Sequence, residues 1–121
     1  MGFFYIGAKV NQRKYAWAKI GMTTNSLAKR AANIRYNEGN FSMYAALEFP
    51  SHTSKAVLYS VESHVRMKLE QDGYINNGKD HFSWTFKRSK HNEYEEFAEK
   101  GIKHAKKYCD FMGIKYKEVK M

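Results

Sequence analysis

Short apolar runs alternate with longer periodic segments along the chain and predict a mixture of strands and helices. Residues 3–7 and 15–22 are apolar runs separated by the polar stretch NQRK, which predicts a β-hairpin. Residues 41–49, FSMYAALEF, predict a third strand that ends before Pro50. The first half of the chain therefore supplies three strands.

Helix-capping side chains precede two segments in which apolar residues have helical spacing. TTNS at residues 23–26 precedes LAKRAANIR, and SHTS at residues 51–54 precedes a long helix over residues 55–71. Serine, threonine and asparagine accept hydrogen bonds from the first free backbone N–H groups of a helix. Both helices should therefore begin directly after these stretches.

The last third of the chain reads as further strands and one helix. YINNGKD predicts a polar loop, HFSWTF a short strand, and IKYKEV an edge strand because it alternates apolar and charged residues. Residues 92–111 predict a helix that is interrupted or bent at Gly101.

The order of these elements predicts an α+β fold, with a small three-stranded, mostly antiparallel sheet flanked by helices. A chain of 121 residues is long enough for one modest core and too short for two. We expect residues 1–87 to form this core and residues 88–121 to form a basic C-terminal strand and helix extension packed on the same domain.

The charge of the chain favours a polyanionic partner, and nucleic acid is the first candidate. Lysine and arginine number 21 against 12 acidic residues, for a formal net charge of +9. A merely soluble basic protein would have the same balance. The single cysteine, Cys109, excludes an intramolecular disulfide and a cysteine zinc cluster. With no signal segment and no membrane-length apolar run, we expect a cytoplasmic protein with no membrane partner.

Glu62 lies within the apolar stripe of the second helix. Leu58, Val65 and Leu69 share one helical face, and Glu62 falls in the middle of it. A carboxylate buried there needs a cation, a metal or several hydrogen-bond donors. The alternative is a helix rolled slightly, so that Glu62 reaches water.

Arg30 occupies a comparable position on the first helix. Leu27, Ala31 and Ile34 define the buried face, and Arg30 lies on it. A guanidinium under a sheet should pair with an anion, either from the protein or bound to it. A structural ion pair between Arg30 and Glu62 is one alternative.

The predicted hairpin places two more polar groups on one sheet face. With Phe4, Ile6 and Ala18 supplying core, Tyr5 and Lys19 can share the other face. Their proximity depends on the hairpin register, which the sequence leaves open. A phenol, an ammonium, a guanidinium and a carboxylate together could cleave a phosphodiester.

These motifs resemble the GIY-YIG nuclease superfamily, particularly its phage and restriction-enzyme branches, in which the second signature reads KIG. The family order appears here as FFYIG, KIGMT, LAKR and VESHVRMKL, over roughly residues 3–86. The sequence departs from the family pattern at three places. FFY stands where the literal GIY triplet would be, Lys19 replaces the tyrosine of the second signature, and Arg66 occupies a place where many members carry a histidine.

The resemblance implies an endonuclease that hydrolyses DNA phosphodiester bonds to 5′-phosphate and 3′-hydroxyl products. Tyr5, Lys19, Arg30 and Glu62 would be its catalytic residues. Glu62 would hold one divalent ion, Mg²⁺ or Mn²⁺, and Arg30 would bind the phosphoryl oxygens. An unperturbed phenol is a poor base at neutral pH. Either Tyr5, ionised beside a cation, or Lys19 could be the general base.

A second set of residues is expected to bind the substrate. Gly7 and Gly21 end the two signature strands and would let the backbone approach a phosphate, or they are plain strand ends. Tyr36 would stand close to the site. The remaining members are basic: Arg66, Lys87 and Arg88.

The alternative function is a GIY-YIG-like protein that binds nucleic acid or a nucleotide without cutting it, or a phage-type inhibitor or adaptor. Target choice could reside in the C-terminal extension, a homodimer or a partner protein. One site per chain can nick one strand, while cutting both strands needs two sites or two binding events.

Overall fold

The computed structural model describes residues 2–9, 17–76, 81–83 and 93–120. Two of the predicted elements, the third strand and the second helix, have the predicted bounds. The elements in chain order are β1 (Gly2–Lys9), β2 (Trp17–Thr23), α1 (Leu27–Glu38), β3 (Phe41–Phe49), α2 (Lys55–Gln71), β4 (Ile75–Asn76), β5 (His81–Ser83), α3 (Glu93–Met112) and β6 (Lys117–Val119).

The strands form one antiparallel sheet in the order β4-β5-β2-β1-β3-β6. Its centre is the predicted trio, with β1 between β2 and β3, and the α+β class with flanking helices is confirmed. The sheet has more than the three strands predicted for it, because β5 pairs with one edge of the trio and β6 with the other. The prediction of a loop at Ile75–Asn76 was wrong, since these residues form β4. A two-residue strand is too short to show a period of two.

Serine side chains begin the first two helices, as their sequences predict. The Oγ atom of Ser26 accepts a hydrogen bond from the backbone N–H of Lys29 at 3.2 Å. Ser54 Oγ accepts one from Val57 N–H at the same distance. Each cap satisfies an N–H group that has no partner inside the helix, so the helix starts there.

Helices cover both faces of the sheet. Phe4 and Ile6 point to the face covered by α2 and α3, where they join the larger core cluster with Leu69. Tyr5 points to the opposite face, where it packs with Ala31 of α1. Because neighbouring residues of β1 face opposite sides, a single strand contributes to both cores.

The third helix runs without interruption through Gly101, so the predicted interruption there was wrong, while a bend at Gly101 stays a prediction. A Cβ atom at Gly101 would lie 2.5 Å from Cδ1 of Ile6, which shows how closely α3 approaches β1. Phe97, Ala105 and Cys109 of this helix are fully buried in the larger core cluster. Residues of the predicted C-terminal extension therefore complete the core that the first half of the chain begins.

The outer side of α3 is charged, although its inner side is buried. Lys103 and Lys107 are exposed on the turns whose inner positions carry Ala105 and Cys109. None of the helices in the described residues combines the length and the apolar character that a membrane crossing requires.

Candidate active site

Tyr5 and Arg30 meet between the sheet and α1. The Nε–H group of Arg30 donates a hydrogen bond to the phenol oxygen of Tyr5, with 3.1 Å between the two atoms. The guanidinium carbon lies 6.0 Å from the centroid of the Tyr5 ring. Tyr5 is fully buried and Arg30 is half-buried. In the free protein Arg30 therefore contacts the phenol oxygen of Tyr5 rather than the anion that its sequence position predicts.

The guanidinium keeps donors for a second partner. Only its Nε–H is used by Tyr5, and arginine carries five N–H donors. In the part of the chain that the structure describes, no carboxylate pairs with Arg30. The structural ion pair between Arg30 and Glu62 is accordingly not formed, and the terminal groups of Arg30 can bind an anion.

Gly21 makes room for the Tyr5 ring. The two residues are partners across the β1–β2 ladder, so they share a sheet face. A Cβ atom at Gly21 would overlap the Tyr5 phenol oxygen and lie 2.6 Å from the ring carbon that carries it. The absent side chain is thus required by packing, while contact of Gly21 with a substrate phosphate stays a prediction.

Lys19 lies on the same face, one step further along the ladder. It is half-buried and opposite Gly7, and on its other side it pairs with His81 of β5. The predicted shared face of Tyr5 and Lys19 is confirmed by this register. Gly7 lies at a register shift between β1 and β3, where a Cβ atom would overlap the ring of Phe41. Contact of the Gly7 backbone with a substrate phosphate also stays a prediction.

Glu62 is buried within the stripe of α2, and only 7% of the residue is exposed. Its Oε1 atom lies 3.3 Å from Nη2 of Arg66, one helical turn later. The alternative of a rolled helix that exposes Glu62 to water is therefore wrong. The half-buried Arg66 is a counter-ion for the buried carboxylate of Glu62.

The two pairs lie on opposite sides of the sheet. Tyr5 and Arg30 belong to the face under α1, whereas α2, which carries Glu62, packs on the other face over β1 and β2. In the described residues, β5 pairs with β2 only through Ala18 and Lys19. The structure thus groups Tyr5, Lys19 and Arg30 on one face and places the helix that carries Glu62 on the other.

One other predicted residue is not brought to this place. Tyr36 is 91% exposed on α1 and does not approach the pair of Tyr5 and Arg30. The physical reason is helical phase, since Tyr36 lies about half a turn from the buried position of Ile34. Lys87 and Arg88 lie outside the described residues.

One residue near Glu62 was overlooked in the sequence. Tyr59 lies three positions before Glu62 and seven before Arg66, so it projects from the same side of α2. Its exposed fraction is 59%. The helical spacing that singled out Glu62 was sufficient to find it.

Glu62 is the carboxylate that the sequence predicts as the ligand of a divalent ion. The described residues contain no group of three histidine, cysteine or acidic side chains that could enclose an ion. Mg²⁺ retains several waters and is commonly bound through one or two carboxylates together with substrate phosphate, so Glu62 suffices. Burial, with a smaller effect of Asp110, raises the pKa of Cys109 to about 11, so this thiol stays protonated at neutral pH.

The fold and these clusters define a small basic α+β protein with a polar site beside the hairpin. A family model for the T5orf172 domain matches residues 2–110, and the chain belongs to this family. The domain is associated with nuclease-like proteins of phage and homing type. The match continues through most of α3, past residue 87. No curated protein and no solved structure matches the chain.

Proposed function

We propose that this protein is a metal-dependent endonuclease of the GIY-YIG type, which hydrolyses phosphodiester bonds in DNA to 5′-phosphate and 3′-hydroxyl ends. The observation that carries the proposal is the hydrogen bond from Arg30 to Tyr5 on the sheet face shared with Lys19. Membership of a family associated with nuclease-like proteins supports the class of reaction. The net charge of +9 supports a polyanionic substrate.

Arg30 is the phosphate-binding group of this proposal. Its Nε–H stays bonded to Tyr5 while its terminal N–H groups bind the scissile phosphate. The bond to Tyr5 thereby sets the orientation of the planar guanidinium. Negative charge grows on the phosphoryl oxygens during attack by water. A cation already held in place stabilises that charge without reorganisation.

Solvent exposure separates the two candidate bases. The Tyr5 phenol is fully buried and occupied by Arg30, whereas Lys19 is half-buried and reachable by water. On access alone Lys19 is the better placed base, which it would be only in its deprotonated form, and Tyr5 is the group that orients Arg30. Lys19 takes a proton from the attacking water, whose oxygen bonds to phosphorus. The bond to the 3′ oxygen breaks, and that oxygen takes a proton from solvent water.

Glu62 is the residue that would hold Mg²⁺ or Mn²⁺. When bound, such an ion supplies Lewis-acid polarisation of the phosphate. The carboxylate is shared with Arg66 in the free protein, so Arg66 can turn to the substrate when a cation takes its place. Its half-buried position allows that movement.

The test is cleavage of supercoiled plasmid and single-stranded DNA by the purified full chain with Mg²⁺, Mn²⁺ or EDTA. We expect metal-dependent nicking that Arg30→Ala lowers by about 10²- to 10³-fold, as for loss of a group that binds transition-state charge. The matched control is Lys29→Ala, which removes an exposed cation from the same helix. Absence of cleavage with every metal, or equal rates for the two variants, would refute the assignment.

A second function has one observation in its favour. Glu62 already has a cationic neighbour in Arg66, and it lies on the helix that covers the other face from Arg30. A protein that binds nucleic acid without cutting it would keep such an arrangement. It would retain DNA in EDTA and show no nicking with either metal, which the same experiment detects.

A further inference from the structure

One side of α2 carries four residues with chemistry suited to a nucleic-acid strand. Lys55, Tyr59, Glu62 and Arg66 follow one another at spacings of four, three and four residues, which places them on one side of a helix. We call these four residues the α2 flank. The opposite side of α2 faces α3, where the rings of His64 and Tyr108 stack with centroids 4.4 Å apart.

Tyr59 is the large exposed ring of this flank. Among the described residues it has neither a hydrogen-bond partner nor a ring partner. It precedes Glu62 by three residues, which corresponds to about 4.5 Å along the helix axis. An aromatic ring open to solvent beside Glu62, the residue that would hold the metal, is a surface on which a base can stack.

The α2 flank is positively charged at its N-terminal end and is followed by an acidic residue at its C-terminal end. Lys55, at its N-terminal end, is exposed and has no ion pair among the described residues. Beyond Arg66, the next turn carries Glu70, which accepts a hydrogen bond from Asn76 at 3.2 Å. A polyanion is therefore attracted toward the N-terminal end of α2, where the helix dipole adds positive charge, and repelled at the other end.

We propose that a DNA strand bound at the candidate active site continues along the α2 flank toward Lys55, with one base stacked on Tyr59 and a phosphate beside Lys55. Tyr59 is thereby a positioning residue, which fixes the strand relative to Glu62 and Arg30. The inference rests on the proposed function, because it takes that site as the point where the strand is cut.

The test compares Tyr59→Ala and Tyr59→Phe with two controls in the full chain. Met67→Ala removes an exposed side chain from another side of α2, and Phe111→Ala removes an exposed ring from α3. A short single-stranded oligonucleotide that contains 2-aminopurine is titrated in EDTA, with anisotropy reporting affinity and 2-aminopurine fluorescence reporting stacking. Cleavage rates with Mg²⁺ are measured separately.

Stacking is worth about 1 to 3 kcal/mol per base, so Tyr59→Ala should weaken binding by about 5- to 150-fold and abolish the fluorescence change. Tyr59→Phe, which keeps the ring, and both controls should bind like the parent. Lys55→Ala should lower the slope of binding against salt concentration by about one phosphate contact.

Two results would overturn the proposal, and they differ from failure of the proposed function. Unchanged binding in Tyr59→Ala, or an equal loss in Phe111→Ala, removes the stacking role even when the parent protein cleaves DNA. If the protein never cleaves DNA but shows stacking that depends on Tyr59, the proposed path of the strand along the α2 flank stands and the proposed nuclease function is refuted. A parent protein that neither binds nor cleaves rejects both.

Discussion

Arg30 on α1 reaches across to Tyr5 on β1, and its Nε–H donates to the buried phenol oxygen at 3.1 Å. This bond joins residues 25 positions apart in the chain. It fixes a long, flexible side chain at the sheet, so a phosphate can meet an arginine whose orientation is already set. The same phenol fills the space that Gly21 leaves empty.

Tyr5→Phe should leave a folded protein with a misplaced arginine. The hydrogen bond to a charged group is worth about 1.5 to 3 kcal/mol, so urea unfolding should show a loss of this order. Cleavage should fall, because Arg30 loses its orientation. Lys19→Met should lower the rate further, by about 10²- to 10⁴-fold, as for loss of a general base. A larger loss in Tyr5→Phe than in Lys19→Met would transfer the role of base to Tyr5.

Gly21→Ala should displace the Tyr5 ring, because a Cβ there lies 2.6 Å from its Cζ atom. We expect a destabilisation of about 1 to 3 kcal/mol, typical of overpacking, together with lost cleavage. The control is Gly113→Ala, where nothing lies within 4 Å of the new carbon and only the backbone angle φ of +69° is strained. Gly113→Ala should lose stability through its strained backbone and keep cleavage, so retained cleavage in Gly21→Ala would contradict the displacement of Tyr5.

Glu62→Gln tests whether the buried carboxylate is a metal ligand or an ion-pair partner. Glutamine is nearly isosteric and still accepts a hydrogen bond from Arg66, so the free energy of unfolding should change by about 1 kcal/mol or less. Cleavage should nevertheless be lost at every Mg²⁺ concentration. Arg66→Gln serves as the comparison. If Glu62 acts only in the ion pair, both variants lose similar stability and neither loses cleavage.

Phe97→Ala tests whether α3 is part of the core. This ring is fully buried and packs edge-on against Tyr74, with centroids 5.0 Å apart. Removing a buried phenylalanine ring costs about 3 to 5 kcal/mol. Phe111→Ala removes the same ring from an exposed place on the same helix and should change Tm little. A small loss in Phe97→Ala would mean that the first 87 residues are stable without α3.

His64 should make the fold less stable in mild acid. Burial first, and then the charges of Lys68 and His104, lower the pKa of His64 below its ordinary value of 6.5. The unfolded chain therefore binds a proton before the folded one does. Stability is complete above pH 6.5 and declines as the pH falls through that value toward the folded-state pKa.

His64→Phe keeps a ring against Tyr108 and removes the titration. Urea unfolding at about pH 7.5 and about pH 5.5 should show a smaller loss of stability in this variant than in the parent. An identical loss would show that another group governs the acid response.

Local periodicity alone was enough to locate the main elements. The bounds of α2 and β3 and the burial of Glu62 follow from repeats of 3.6 and 2 residues, which are properties of the backbone itself. The opposite faces of Phe4 and Tyr5 follow from the same rule. The serine caps follow from the hydrogen-bonding chemistry of the serine side chain. Local repeats did not predict the strand at Ile75–Asn76 or the continuous helix through Gly101. Both depend on pairing and packing with residues distant in the chain.

The sequence by itself determined which polar groups lie in buried stripes, and the tertiary structure decided which of them meet. The pairing of Tyr5 with Gly21 depends on the hairpin register, and it sets the phenol beneath Arg30. Packing also put α1 and α2 on opposite faces of the sheet, so Glu62 does not pair with Arg30. Such choices depend on contacts between residues far apart in the chain, and a helical or strand period carries no information about them.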